Sequence, residues 1–309
     1  MKNDQKIVPN LWFDGKAKEA VEFYISVFEN SKINTTTRYL EAGQEFHQQE
    51  PGSVMTMDFT VEGFRMVALN GGPYFQLNPS ISFFVFCKSE NEAENLWHKL
   101  IAGGKELMPL ESYDWSPKYG WLEDEFGVNW QLMLDSEYTG KQKIVPSLFF
   151  TGSSRGKAEE AVNYYTSVFK NTSVEGILKY GSENSYAEGT VMHSQFQLEN
   201  QVFMAMDSGV ENDFPFNEAI SLVVNCKDQE EIDYYWNKLT EGGDPAAQQC
   251  GWLKDKFGIS WQIVPEGMEE LLNNPDKEKA NRGMAAVFQM KKFDLAMLKK
   301  AIDDKMPSS

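Results

Sequence analysis

His193 is the residue best placed by type and position to do chemistry. It lies in the run 191–198, where His193, Gln195 and Gln197 alternate with other residues and so share one side of a strand. An imidazole titrates near neutrality. His193 therefore reads as a general base or ligand anchor, or else as a hydrogen-bonded structural histidine. His47 falls in a polar loop and His98 on a helix. Cys250 is the second candidate, set before Gly251-Trp252 in a Gln-rich loop. A nucleophilic thiolate needs a nearby base, and His193 is the candidate; without one, Cys250 is a quiet half-buried thiol. Further candidates for binding are Asn10 and Trp12 on one strand and Ser147 and Phe149 on its counterpart. Gln131 and Gln262 stand in late strands, Ser221 near the start of another, and Asp207 at a strand end, by alternation on the His193 side. Polar groups spaced along an apolar wall suit a small-molecule pocket; the other reading is a face that is simply wet.

The elements that must carry these side chains occur twice. Ile7-Val8-Pro9 recurs as Ile144-Val145-Pro146, Cys87 as Cys226, Trp97 as Trp236, and Gly103-Gly104 as Gly242-Gly243. Gly120-Trp121-Leu122-Glu123-Asp124 recurs as Gly251-Trp252-Leu253-Lys254-Asp255, and Trp130-Gln131 as Trp261-Gln262. The units span 1–136 and 143–265, joined by a polar linker at 135–142 and followed by an extension at 266–309. In the first unit, strands are predicted at 7–13, 54–61, 64–69, 81–87, 120–122 and 128–134, and helices at 16–28 and 93–100. Each unit thus reads strand, helix, strands, twice over. That pattern implies an α+β fold whose helices cover one face of a sheet. Asn10, Trp12, Thr56, Asp58, Gln131 and their counterparts then fall on the uncovered face.

Composition narrows the function classes. The chain has 309 residues, 41% of them hydrophobic, enough for real cores. Its formal charge of −17 repels nucleic-acid phosphates and anionic lipids. Three scattered cysteines form no CxxC pair, which argues against a disulfide framework or a thiolate zinc site. No apolar run approaches the roughly 20 residues of a membrane helix, and the first ten residues lack the apolar stretch of a signal peptide. A cytoplasmic protein is the expectation.

Longer motifs carry a resemblance. Phe216-Asn217-Glu218-Ala219, Tyr235-Trp236, Cys250-Gly251-Trp252-Leu253-Lys254-Asp255 and Ser260-Trp261-Gln262-Ile263-Val264-Pro265 resemble the PhnB-like branch of the vicinal oxygen chelate superfamily. Pro9-Asn10-Leu11-Trp12-Phe13 and Ala68-Leu69-Asn70-Gly71-Gly72-Pro73 do so in the first unit. That superfamily includes glyoxalases, bleomycin-resistance proteins and dioxygenases, and the branch is also labelled 3-demethylubiquinone-9 3-methyltransferase. The resemblance implies tandem glyoxalase-like domains. Each would pair two βαβββ modules in a curved mixed sheet around a cup, and a helical C-terminal extension would follow. It also implies a divalent metal held by His, Gln or Glu on first and last strands. Those positions here hold Val8 and Val145, Ala68 and Ala205, Ser82 and Ser221, leaving only Gln131 and Gln262, too few for a metal centre. The expectation is therefore a small-molecule binder or enzyme without metal or other cofactor, using the cup of the second unit. The rivals are a metal-dependent lyase or dioxygenase and the labelled methyl transfer. Expected partners are a small molecule, no nucleic acid and no membrane, with the two units pairing within the chain and a homodimer as a further step.

Overall fold

A computed structural model describes residues 5–303; the outer ends of the spans 1–136 and 266–309 lie outside the described residues. The first unit runs β1 (Ile7–Phe13), α1 (Ala17–Val27), β2 (Lys32–Arg38), a short α2 (Gln44–His47), β3 (Val54–Val61) and β4 (Phe64–Asn70). It continues with β5 (Ile81–Cys87), α3 (Glu90–Leu100), β6 (Lys105–Tyr113), β7 (Ser116–Glu123) and β8 (Asn129–Leu134). The second unit repeats this as β9 (Ile144–Phe150), α4 (Ala158–Val168), β10 (Ser173–Lys179), β11 (Val191–Leu198) and β12 (Gln201–Asp207). Then come β13 (Ile220–Cys226), α5 (Gln229–Leu239), β14 (Asp244–Gln249), β15 (Trp252–Lys254) and β16 (Ser260–Pro265). The extension folds as α6 (Met268–Leu272), α7 (Lys277–Phe288) and α8 (Leu295–Asp303).

Local chemistry explains the elements. α1 buries Ala17, Ala20, Val21, Tyr24 and Val27, one stripe at helical spacing. The Ser89 hydroxyl accepts from the Glu92 amide at 3.2 Å to start α3, and Asp228 accepts from the Glu231 amide at 2.9 Å to start α5. β2 and β6 are strands that the pattern of the sequence does not announce. They are outermost strands of their sheets, and most of their residues are exposed or half-buried, so little apolar alternation marks them.

The fold is α+β, with two eight-stranded mixed sheets and C-terminal helices. Sheet A has the order β14-β15-β16-β13-β1-β4-β3-β2, and sheet B the order β10-β11-β12-β9-β5-β8-β7-β6. Each sheet holds two βαβββ modules, as the resemblance implies, but the two come from different units. The central pairs are antiparallel, β1 with β13 and β9 with β5. The chain path accounts for this. Only residues 135–143 separate β8 from β9, which run antiparallel on either side of β5. Such a short linker delivers β9 to the sheet that already holds β8.

The module helices lie between the sheets. Tyr24 on α1, over sheet A, donates to Asp124 beside β7 of sheet B at 2.9 Å. Tyr165 on α4, over sheet B, donates to Asp255 beside β15 of sheet A at 2.6 Å. One continuous apolar core fills this layer, including Tyr24, Phe59, Trp130, Tyr165 and Trp261. Both uncovered faces therefore look outward, and each is shared between the two units. A cup belonging to the second unit alone does not exist in this arrangement.

Candidate functional site

Register places the inner face of sheet A. Asn10 lies opposite Ser221, Val67 pairs with Asn10, and Trp252 pairs with Gln262. Asn10 Nδ2 donates to Ser221 Oγ at 3.4 Å, and Gln262 Nε2 donates to the same oxygen at 2.9 Å. Trp12 sits at the end of this face. Its Nε1 donates to the Gly72 carbonyl at 2.7 Å, and its ring meets Phe75 edge-on at 4.9 Å and Trp252 at 6.1 Å.

The C-terminal helices cross this face. Arg65, on the inner side of β4, bonds Asp58 at 2.5 Å and Glu269 before α7 at 3.0 Å. Asn281 of α7 accepts from the Ala42 amide at 2.9 Å, beside the β2 edge. At the opposite edge the Cys250 amide donates to the Met290 carbonyl at 2.8 Å, and its thiol to the Val287 carbonyl at 3.5 Å. A helix the length of α7 spans about 18 Å, whereas eight flat strands would span about 34 Å. The sheet must curl for α7 to bridge its two edges, and the bridge closes the cup.

Sheet B keeps its face free of those helices. Its inner side carries Ser82, Phe84 and Phe86 of β5, Val145, Ser147 and Phe149 of β9, Met204 of β12, and Gln131 of β8. Ser82 and Ser147 are directly opposed across the central pair. A polar relay runs over the floor: the Tyr119 hydroxyl donates to Gln131 Oε1, and Gln131 Nε2 donates to Ser82 Oγ at 2.7 Å. Burial pushes the Tyr119 phenol well above its ordinary range, so it remains a neutral donor. Around the relay Phe84, Phe86, Tyr119, Val145 and Met204 form an apolar cluster separate from the main core. Trp121 meets Phe149 edge-on at 5.6 Å, and Tyr138 of the linker stacks on Phe86 at 4.2 Å. His193 reaches Phe84 across two intervening strands, with ring centres 6.4 Å apart, so this sheet is strongly curved as well. Beside His193 lies an open, shallow depression of about 450 Å³, lined also by Glu175, Leu178 and Gln195.

The sequence candidates therefore divide. Gln131, Ser147, Phe149 and His193 meet on sheet B, and Asn10, Trp12, Ser221 and Gln262 on sheet A. Asp207 is a correction. It pairs with Phe150 of β9, whose side chain is in the helix-covered core. Its carboxylate accepts from the Gly156, Ala158 and Val191 amides at 2.6, 3.3 and 2.9 Å, which starts α4 and places it on the side opposite His193. Cys250 is a second correction: it lies on sheet A, remote from His193, and burial pushes its thiol up. It is not an activated nucleophile. Ala68 and Ala205, aligned above with metal-ligand positions, face the helices. Sequence reasoning missed Tyr119 and Trp121 as site residues, because β7 is longer than its apolar centre suggests, and Phe84, because every residue of β5 is buried and no alternation marks its faces.

The donor set on sheet B does not fit a divalent metal. It offers hydroxyls, a carboxamide, a phenol and one imidazole, where such a centre takes about three imidazole or carboxylate ligands. Among the described residues no group of three or more His, Cys, Asp or Glu is placed to hold a metal ion.

The family model described as 3-demethylubiquinone-9 3-methyltransferase matches residues 5–133 and again residues 142–264. The chain belongs to this family. A solved structure described as a putative 3-demethylubiquinone-9 3-methyltransferase, PhnB protein, from Bacillus cereus is 40% identical, covering 42% of this chain and 100% of that one, with a TM-score of 0.39. Glyoxalase I from Zea mays is 11% identical over 88% of this chain and 98% of that one, with a TM-score of 0.52, a likeness of fold alone. No curated protein matches the chain. Among the described residues no helix is long and apolar enough to cross a membrane.

His193 sets the sign of the response to acid on sheet B. Burial lowers its pKa from the ordinary value, so the folded state favours the neutral ring. Stability from this group is fully present above about pH 6.5 and is lost as pH falls through the folded value. His47 shifts in the same direction. The melting temperature should therefore fall between pH 7 and 5.5, and less steeply in His193→Gln. Parallel pH curves for the two proteins would show that His193 carries none of the dependence.

Proposed function

We propose that the inner face of sheet B is a metal-independent binding cup for a small neutral molecule, entered beside His193. The carrying observation is the buried polar floor framed by aromatic and methionine side chains, with His193 and the open depression beside it at its margin. The floor draws Ser82, Tyr119 and Gln131 from the first unit and Ser147 and His193 from the second, so neither unit makes the site alone. His193, held neutral, can accept a hydrogen bond or a proton from the ligand. A metal-dependent lyase or dioxygenase reading finds no support in the donor set. The methyl transfer in the family's label is not part of the proposal either. A methyl donor of the nucleoside type is commonly held at a Gly-rich turn in a parallel sheet with helices on both faces, whereas these mixed sheets carry module helices on one. The chain also reads as a fused form of a two-subunit assembly, its units joined across both central strand pairs.

The reading is tested by titrating the chelator-treated protein with fluorene, a flat neutral aromatic, by calorimetry. One equivalent should bind per chain, unchanged by added nickel, zinc, iron or manganese. Met204→Trp, which fills the cup, should abolish it. Binding that needs metal, or that survives Met204→Trp, would falsify the proposal.

A further inference from the structure

Ser147 is fully buried, and its hydroxyl has no hydrogen-bond partner among the described residues. Buried hydroxyls are nearly always paired, so an orphan at the centre of a sheet asks for a reason. The fold does not impose it. At the matching place in sheet A the residue is Asn10, whose longer amide crosses the same central strand pair and bonds Ser221. An asparagine thus satisfies this position, and Ser147 leaves it open. The sheet that is closed by the C-terminal helices has the satisfied pair; the sheet that is free of them has the orphan.

Hydrogen-bond direction says what the orphan could take. Tyr119 supplies the proton to Gln131, and Gln131 supplies one to Ser82. The Ser82 oxygen is thereby an acceptor already, and its own proton is bonded to no acceptor among the described residues. Ser147 stands opposite with a second unspent O–H. The floor therefore presents two adjacent donors backed by a polarised chain, and such chains strengthen their terminal donor. No Lys or Arg bonds any of these residues among those described. Glu175, the carboxylate that lines the depression beside His193, is bonded to Gln195 and Gln197. An anion buried here would lack a counter-charge, which is costly.

We infer that the Ser82–Ser147 pair is the recognition point for a neutral carbonyl oxygen on a flat apolar ligand, the two hydroxyls donating to its two lone pairs. Phe84, Phe149 and Trp121 supply ring faces and edges for the remainder of such a molecule. Reaching the pair requires neighbouring side chains to swing aside, since Ser82 and Ser147 are both fully covered. The inference rests on the reading of sheet B as a binding cup, and its test separates the two.

The probes are 9-fluorenone and fluorene, which share a ring frame and differ by a carbonyl in place of a methylene. The wild-type chain should bind fluorenone about tenfold more tightly than fluorene, the discrimination expected of a well-made hydrogen bond. Ser147→Ala should abolish that preference, so that the variant binds the two probes with equal affinity. Ser147→Asn, which copies Asn10, should also abolish it. Because the hydroxyl is unpaired, Ser147→Ala should leave the ligand-free melting temperature unchanged or raise it by about 2–4 °C, where a merely structural serine would lower it. Equal affinity for the two probes overturns the carbonyl inference and leaves the cup standing. Failure of both probes to bind overturns both. A preference that survives Ser147→Ala places carbonyl recognition elsewhere and also overturns the inference.

Discussion

Asp255→Ala is expected to lower the stability of the fold by about 3–5 kcal/mol, the largest loss we anticipate from any single substitution. The Asp255 carboxylate is buried and accepts four hydrogen bonds. They come from the Phe257 and Ile259 amides at 2.9 and 3.0 Å, the Tyr165 hydroxyl at 2.6 Å and the Trp261 indole at 2.8 Å. Removing it strands four buried donors at once. Asp124 repeats the arrangement with Phe126, Val128, Tyr24 and Trp130. Burial pushes the Asp124 carboxyl up to about 6 against the pull of these donors, so the charged form is itself held at some cost and the expected loss is net of it. Each carboxylate also ties a loop of one sheet to a helix of the other, so the damage is not local. Asp255→Asn should cost about 2 kcal/mol, because an amide still accepts from the loop but turns a donor toward the Trp261 indole. Tyr165→Phe should cost about 1 kcal/mol. Chemical denaturation of the three variants checks the ranking. A midpoint for Asp255→Ala within experimental error of wild type would remove this carboxylate from the account of how the sheets are joined.

Ending the chain at residue 265 should be at least as damaging. The extension buries Leu271, Leu272, Val287, Met290, Phe293 and Leu298. Each such side chain contributes about 1.5–3 kcal/mol by burial, partly offset by the entropy of ordering three helices. The net loss should be on the order of 5 kcal/mol. Truncation would also uncover Val67, Leu69, Val223 and Val264 on the inner face of sheet A and leave the Arg65–Asp58 pair without Glu269. A hydrophobic dye should then bind the truncated protein and not the full chain, with self-association as a further consequence. Unchanged melting and no new dye binding would mean that the helices rest on the sheet without closing it. Sheet B, which lacks this cover, should keep its response to fluorene in any truncated protein that remains folded.

Much of this was legible along the chain. Duplicated motifs gave two units, alternation gave most strands, and helical spacing gave the module helices, because these signals lie within a few residues of one another. Alternation also put Asn10, Trp12, Ser147, Phe149, His193 and the two glutamines on uncovered faces. It failed for Asp207, where one residue of strand phase reverses the side, and for the edge strands β2 and β6, whose exposure erases the pattern. The repeated aspartates 124 and 255 were visible as repetition and silent as to role, since their partners Tyr24 and Tyr165 lie far away in sequence.

What the sequence could not decide was pairing. Two homologous units carry four homologous modules, and by pattern alone β5 suits β1 or β9 equally as a central partner. Strand pairing is non-local and the candidate edges are chemically alike, so the choice falls to chain connectivity and to the helices that must pack between the sheets. That choice put Gln131 with Ser147 and His193, separated Cys250 from His193, and turned two expected cups into one covered by the chain's own end and one left free. The sequence by itself determined the modules and their faces; tertiary structure alone decided which faces meet, and therefore where a site exists.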